Sequence, residues 1–124
     1  MKKWLLSTFV VLIALSLVLA GCGSTEEEAI KAGMVSDIGG LNDKSFNQNT
    51  WAGLEMAQEE LGIQAQFIQS EAQADYEKNI TEFAEQDYDL IVTVGFLLGD
   101  ATGKMAAQYP EQKLAIIDFA FDPP

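Results

Sequence analysis

Between Gly33 and Leu61 the sequence passes from a short apolar run, through a loop with two glycines and two aspartates, into a helix-like pattern. Such a unit places the N-H groups of a helix N-terminus beside a loop that can bend closely around a small molecule. Its apolar run, with Ala32, Met34 and Val35, is typical of a strand that is covered on both faces. We therefore expect an α/β fold that binds a small polar solute at this loop.

The remaining sequence repeats the same alternation of short apolar runs and amphipathic segments, without an internal repeat. Strands that alternate with helices at this spacing indicate right-handed βαβ crossovers, and hence a parallel sheet with helices on both faces. The predicted strands are 30–36, 63–68, 89–94 and 113–118, and the predicted helices are 45–61, 75–86 and 98–109.

Local signals set the helix ends. Residues 45–48 read as a capping box, in which the Ser45 hydroxyl accepts the Gln48 N-H and the Gln48 side chain reaches back. Gly62 is expected to end this helix in a left-handed conformation, and Asp75 to cap the next one. The inward stripes are predicted to hold Trp51, Leu54, Ala57, Gln58 and Leu61 in the first helix, Tyr76, Ile80, Phe83 and Ala84 in the second, and Ala101, Met105, Ala106 and Tyr109 in the third.

The N-terminus reads as an export signal. Lys2 and Lys3 precede a long apolar run, and residues 19–22 (LAGC) form a lipobox, the signature of bacterial lipoproteins. A retained transmembrane helix is the alternative for such a run. We expect residues 1–21 to be a cleaved signal peptide, 22–28 a tether lipidated on Cys22, and 29–124 the incomplete N-terminal lobe of a longer protein.

Composition removes several classes of function. The formal charge is −12, and it becomes −14 once Lys2 and Lys3 are removed with the signal peptide, which argues against nucleic acid as a partner. The sequence has no histidine and no cysteine besides Cys22, so Ser-His-Asp, Cys-His and His-ligated zinc designs are excluded. A magnesium site built from Asp37, Asp43 and Asp118 with Lys44, in an exported enzyme, remains an alternative. We expect no catalytic residues, no cofactor and no metal.

Ligands of parallel α/β sheets bind at the carboxyl ends of the strands. Asp37 and Asp118 each follow an apolar run there, where a ligand with hydroxyl or amino donors would satisfy them. The alternative for both is capping of a helix or turn. Phe46 borders the glycine loop and could stack on a flat ligand, or pack on the loop as a hydrophobic staple. Asn47 could read a polar edge of the ligand, or lie in solvent.

Three stretches carry a resemblance to a known family. They are GMVSDIGGLNDKSFNQNTWAGLEMAQEELG, YDLIVTVGF and LGDATGKMAAQYPEQKLAIID, and they accompany the lipobox. The chain resembles the basic membrane protein family of ABC-transporter substrate-binding lipoproteins, of the purine-nucleoside receptor type. The resemblance runs from Ile30 to Asp118, and the block DxGGxxDKSFNQ is its most specific part.

This resemblance implies a type I periplasmic-binding-protein fold, in which two α/β lobes close on a nucleoside. It implies that Phe46 stacks on the base, that Asp37 and Asn47 make polar contacts, and that Asp118 recognises the base edge. Purine nucleosides, pyrimidine nucleosides and other flat solutes such as riboflavin all fit this expectation. Weaker candidates for ligand contacts are Gly39, Gly40, Asp43, Ser45, Gly95 and Phe96.

The resemblance also implies partners and location. We expect a monomer, anchored through Cys22 on the extracytoplasmic face of a bacterial cell membrane, that delivers solute to the permease and ATPase subunits of an ABC importer. The alternative is a ligand-sensing lipoprotein that acts on a membrane kinase or regulator. The second lobe would supply the opposing aromatic group, so one lobe by itself is expected to bind weakly or not at all.

Overall fold

A computed structural model describes residues 28–122, so the predicted signal peptide, Cys22 and most of the tether lie outside the described residues. All seven predicted elements are present, and each boundary lies within two residues of its predicted position. Among these residues no helix is both long and apolar enough to cross a membrane. The strands are β1 (Lys31–Ser36), β2 (Gln64–Gln69), β3 (Leu90–Val94) and β4 (Leu114–Ile117), and the helices are α1 (Phe46–Leu61), α2 (Tyr76–Ala84) and α3 (Gly99–Gln108).

The strands form one parallel sheet in the order β2-β1-β3-β4. Met34 in β1 is level with Phe67 in β2 and with Val92 in β3. The chain first moves from β1 to β2 and then crosses back to β3 on the other side of β1. The carboxyl ends of β1 and β3 therefore lie side by side at the topological switch point, which is where sheets of this kind open a crevice for ligands.

Helices cover both faces of the sheet, as predicted. Met34, Val92 and Val94 are buried on one face, where Trp51 and Leu54 of α1 pack against them. On the other face Val35 and Ile91 are buried against α2 and α3. Neighbouring residues of β1 thus belong to different cores because successive side chains of a strand point to opposite faces. The second core also contains Tyr76, Ile80, Phe83, Leu98, Ala101 and Met105.

Two residues predicted to face inward are exposed. Leu61 at the end of α1 is 76% exposed, and Ala106 on α3 is also exposed. A helix of 16 residues is about 24 Å long, whereas a strand of six residues spans about 20 Å. The last turn of α1 therefore extends past the sheet. Gln58 does face inward, where its Oε1 accepts the N-H of Ala65 at 2.6 Å.

The predicted capping of two helices is wrong. The Ser45 side chain makes no capping hydrogen bond, and the Gln48 N-H donates to Asp43 Oδ1 at 3.1 Å instead. The Asp75 carboxylate does not cap α2 but accepts the N-H groups of Glu71 and Ala72 in the preceding loop, at 3.1 and 2.9 Å. The left-handed end of α1 at Gly62 is confirmed, with φ of 71°.

The segment after β4 packs on α3 rather than leading away from the sheet. The Phe119 ring lies against Gly99, and the Phe121 ring lies near Gly103, with the two rings stacked edge to face at a centroid distance of 5.0 Å. A side chain on Gly99 would collide with the Phe119 ring. Gly103 reduces the helix propensity of α3, but it also leaves room for the Phe121 ring and so has a packing role.

Candidate functional site

Asp37 lies at the topological switch point, directly after β1. Its backbone N-H donates to the Val94 carbonyl at 3.2 Å, which ties it to the end of β3. Its Oδ1 accepts two hydrogen bonds at 2.9 Å, one from the Gly39 N-H and one from Asn47 Nδ2. Within residues 28–122 no hydrogen bond reaches its Oδ2. Asp37 thus stabilises its own turn, as one alternative predicted, and retains one free carboxylate oxygen.

Asn47 is part of the site and not a solvated residue of the first helical turn. It is only 3% exposed, and its amide nitrogen joins α1 to Asp37 across ten positions of the chain. Its Oδ1 is buried without a hydrogen-bond partner. Since buried polar atoms are normally satisfied, an unpartnered acceptor at this place is a candidate ligand contact.

The glycines of the site allow close approach. A Cβ on Gly95 would lie 2.6 Å from Asp37 Oδ2, and its φ of +108° is also unfavourable for other residues. Gly40, with φ of +62°, leaves room for the Gln69 side chain, which would be 2.6 Å from a Cβ there. A Cβ on Gly39 would lie 3.0 Å from Asp37 Oδ1. Gly39 and Gly95 therefore let the loop and the end of β3 close around the Asp37 carboxylate, and Gly40 lets the loop approach Gln69 of β2.

Three large apolar side chains are exposed on the loops at this edge, and we call them the apolar rim. They are Ile38, Phe46 and Phe96, with exposed fractions of 54%, 48% and 62%. Phe46 is the first residue of α1 and precedes the buried Asn47, so its backbone lies at the site. Exposed apolar side chains around a polar centre are typical of a binding surface. The half-exposed ring favours the stacking interpretation of Phe46 over a packed staple.

Asp118 lies at the same edge but is not bonded to the other site residues. The preceding residue, Ile117, accepts the Gly95 N-H at 3.1 Å, so the ends of β3 and β4 are adjacent. Asp118 is exposed and has a left-handed φ of 67°, which is uncommon for a residue other than glycine. Its carboxylate accepts no hydrogen bond within residues 28–122 and is free to contact a ligand.

Asp43 caps α1. Its two carboxylate oxygens accept the N-H groups of Ser45, Asn47 and Gln48 at 2.9 to 3.1 Å. Partial burial raises the pKa of Asp43. These donors and the nearby Asn47 side chain lower it by a larger amount, so the net pKa lies below the ordinary 3.8. Ser45 is exposed and its side chain makes no capping bond. Asp43 therefore holds the helix start, and the Ser45 side chain does not.

Tyr76 belongs to this edge as well, although periodicity predicted only a core role for it. It is the first residue of α2 and is 3% exposed, and its hydroxyl is buried without a hydrogen-bond partner. Burial raises the pKa of Tyr76, and the negative charge of Asp37 raises it further. Tyr76 and Asn47 hold the two unpartnered buried side-chain atoms found in residues 28–122, and both lie next to Asp37.

Within residues 28–122 the acidic side chains are not clustered as metal ligands. No group of three or more histidine, cysteine, aspartate or glutamate residues within 28–122 is arranged to hold a metal ion. Asp43 directs its oxygens at the helix N-terminus rather than toward Asp37 or Asp118. The magnesium alternative therefore has no ligand set in the described part of the chain.

A cavity of about 500 Å³ lies at the opposite edge of the sheet, away from these residues. It is lined by the turns that precede β3 and β4, including Tyr88, Asp89 and Gln112. Neither unpartnered buried side-chain atom belongs to its lining. The unpartnered buried polar atoms of residues 28–122 thus lie at the carboxyl edge of the sheet and not in this cavity.

Comparison with known proteins identifies the family. The model of the Bmp family, described as PnrA-like ABC transporter substrate-binding proteins, matches residues 30–122. A lipoprotein of Pyrococcus furiosus is 34% identical and covers 95% of this chain and 31% of its own length. The nucleoside-binding ABC transporter protein BmpA of Lactococcus lactis is 33% identical, covering 95% of this chain and 37% of its own. The chain thus spans about a third of the length of these relatives.

Solved structures agree with this result. An ABC transporter solute-binding protein from Aeropyrum pernix is 39% identical, with a TM-score of 0.69 over 76% of this chain and 26% of its own. A lipoprotein fragment from Peptoclostridium difficile is 30% identical, with a TM-score of 0.70 over 76% of this chain and 77% of its own. The sequence of this chain and its parallel α/β fold together show that it belongs to the Bmp family of PnrA-like ABC transporter substrate-binding proteins.

Proposed function

We propose that this chain forms the N-terminal lobe of a lipid-anchored receptor that captures a nucleoside and delivers it to an ABC permease. The observation that carries the proposal is the hydrogen bond from Asn47 Nδ2 to Asp37 Oδ1 at the topological switch point, with a length of 2.9 Å. Membership of a substrate-binding family supports the transport role, and the sensing alternative gains no support from the relatives. Substrate-binding proteins bind and release their ligand unchanged, so the proposed function is not enzymatic.

The polar groups suit a ligand that both donates and accepts hydrogen bonds. Asp37 Oδ2 and the Asp118 carboxylate are acceptors for hydroxyl or amino groups. Asn47 Oδ1 is a further buried acceptor without a partner. A ribose and the amino edge of a base together supply donors of this kind, and they would satisfy atoms that the ligand-free lobe leaves unpaired.

The apolar rim suits a flat ring. Phe46 lies at the start of α1 beside the polar pair, and its ring is half-exposed. Stacking on a base would bury this ring, and offset stacking adds about 0.5–1.5 kcal/mol to the gain from burial. Ile38 and Phe96 extend the same surface, which would be covered when a second lobe closes over the ligand.

Binding of nucleosides to the two-lobe receptor tests this function. We expect calorimetry with a panel of purine and pyrimidine nucleosides to show saturable one-to-one binding. Phe46→Ala should weaken this binding by about 1–4 kcal/mol, as expected for an aromatic anchor in an interface.

Met56→Ala is the matched control, because Met56 is also a large exposed side chain of α1, with 58% exposure, but lies in the third turn of the helix. It should leave the affinity unchanged. If no nucleoside binds, the proposed function is wrong. If nucleosides bind but Phe46→Ala lowers only the melting temperature, Phe46 is a staple and the stacking role fails.

A further inference from the structure

The hydroxyl of Tyr76 is buried and has no hydrogen-bond partner. Such groups are uncommon in folded proteins because an unpaired buried hydroxyl is unfavourable, and each calls for an explanation. The core alone does not require the oxygen, since a phenylalanine ring would fill the same space. The hydroxyl therefore indicates a hydrogen-bond partner that residues 28–122 do not supply in this arrangement.

The topology places Tyr76 at the edge of the sheet that carries the candidate site. Helix α2 follows β2 and runs back along the sheet, so its first residue, Tyr76, lies at the carboxyl edge. The Tyr76 side chain packs in the same core cluster as Val35 and Leu98, which lie close in sequence to Asp37 and Gly95. The N-H of Ile38 approaches the phenolic oxygen without satisfying hydrogen-bond geometry.

The two groups are matched as a hydrogen-bond donor and an acceptor. Burial raises the pKa of Tyr76, and the Asp37 carboxylate raises it further, so the phenol keeps its proton at neutral pH. Tyr76 packs in one core cluster with Val35, two residues before Asp37, which places both side chains at the same edge of the sheet. Asp37 Oδ1 already accepts two hydrogen bonds, whereas Oδ2 accepts none within residues 28–122. A protonated phenol thus lies near a carboxylate oxygen that has free lone pairs.

We propose that Tyr76 is a positioning residue of the nucleoside site, whose hydroxyl donates a hydrogen bond to the Asp37 carboxylate in the ligand-bound state and holds it toward the ligand. The hydroxyl is buried in the core cluster of α2, on the Asp37 side of the site, so we assign it to Asp37 rather than to the ligand. Each carboxylate oxygen can accept more than one hydrogen bond, so Oδ2 can serve Tyr76 and the ligand together. This inference rests on the proposed function.

Tyr76→Phe in the two-lobe receptor tests the role of the hydroxyl. Because the hydroxyl is unpartnered without ligand, the melting temperature of the ligand-free variant should be unchanged or higher. The nucleoside affinity should fall roughly tenfold, as for the loss of a hydrogen bond to a charged group. In an Asp37→Asn background the same substitution should have no further effect, since the two residues act as one unit.

Tyr88→Phe is the matched control. Tyr88 is also a buried tyrosine, 6% exposed, but lies at the opposite edge, where Lys31 Nζ is 5.6 Å from its ring centroid. It should leave the affinity unchanged. A second measurement needs no change at Tyr76: in the receptor labelled at tyrosine Cζ, nucleoside should shift the Tyr76 resonance, and this shift should be absent in Asp37→Asn.

The outcomes separate this proposal from the proposed function. If nucleosides bind the original protein and Tyr76→Phe equally well, or if only the melting temperature falls, Tyr76 has a purely structural role and this proposal is overturned. A loss of affinity that persists in the Asp37→Asn background would overturn it too, because the hydroxyl would then not act through Asp37. If the original protein binds no nucleoside, both proposals fail.

Discussion

Asp37 and Asp43 show how one residue type serves two purposes within a single loop. Asp43 uses both carboxylate oxygens on three backbone N-H groups at the start of α1. One carboxylate oxygen of Asp37 accepts hydrogen bonds from Gly39 and Asn47. The other faces Gly95 and accepts no hydrogen bond within residues 28–122. The sequence places both carboxylates in the glycine loop, but only the three-dimensional arrangement separates the capping residue from the candidate ligand contact.

Replacing Asp43 with alanine should destabilise the lobe by about 1–2 kcal/mol, because the first turn of α1 loses its acceptors. Ser45→Ala is the control and should change the free energy of unfolding by less than about 0.5 kcal/mol, since the Ser45 side chain caps nothing. Denaturant unfolding measures both. The reverse order would restore the capping box predicted from the sequence.

The contribution of Asp43 should also depend on pH. Its pKa in the folded lobe lies below the ordinary value of 3.8, so the folded state favours the charged form. The stabilisation is therefore fully present above that ordinary value, and it is lost as the pH falls through the folded pKa. The difference in unfolding free energy between the original chain and Asp43→Ala should accordingly be constant near neutral pH and shrink in acid.

At the scale of elements, β1 packs closely against α2. Gly33 in β1 lies under the Phe83 ring of α2, where a Cβ would be 2.6 Å from two ring carbons. The absence of a side chain thus lets α2 pack directly on the central strand. This contact fixes the last turn of α2, which contains Phe83, against the first half of β1.

Gly33→Ala should therefore destabilise the lobe by about 1–3 kcal/mol through overpacking. The matched control is Gly53→Ala in α1, where a Cβ meets nothing within 4 Å. It should stabilise the lobe by about 0.5–1 kcal/mol, because alanine is the better helix former. Thermal unfolding of the two variants compares them directly, and equal effects would contradict the packing described for β1.

The sequence predicts elements better than it predicts contacts between them. Hydrophobic periodicity depends on the local environment of each element, so the strands, the helices and the carboxyl-edge position of Asp37 and Asp118 could be predicted. Leu61 was misplaced because periodicity does not show where a helix extends past its sheet. The position of Phe46 beside the glycine loop could also be predicted, because it lies off the inward stripe of its helix, and its exposure agrees with that. The buried, unpartnered hydroxyl of Tyr76 could not, because periodicity assigns the whole side chain to the core.

For the whole molecule, the folded lobe and the proposed membrane anchor are separate features. The lobe is described from residue 28 onward, whereas the lipobox ends at Cys22. Each methylene of an acyl chain adds about 0.8 kcal/mol of membrane affinity, so several chains on one cysteine hold a protein stably at the surface. The proposed anchor would thus act without any contribution from the fold.

Cys22→Ser should therefore prevent lipid attachment without changing the lobe. We expect the variant to lose incorporation of labelled palmitate and to accumulate in the soluble or secreted fraction, or as an unprocessed precursor. Circular dichroism of the lobe provides the control and should be unchanged. A fully processed variant that stays with the membrane would show that another segment anchors the protein.

A crystal structure of the two-lobe receptor with bound nucleoside would show directly whether the carboxyl edge is the binding site. We expect the base to stack on Phe46 and the polar groups of the ligand to lie within hydrogen-bond distance of Asp37, Asn47 and Asp118. A nucleoside bound at the opposite edge of the sheet, near Tyr88 and Asp89, or one that leaves Asp37 Oδ2 and Asn47 Oδ1 without partners, would contradict this expectation.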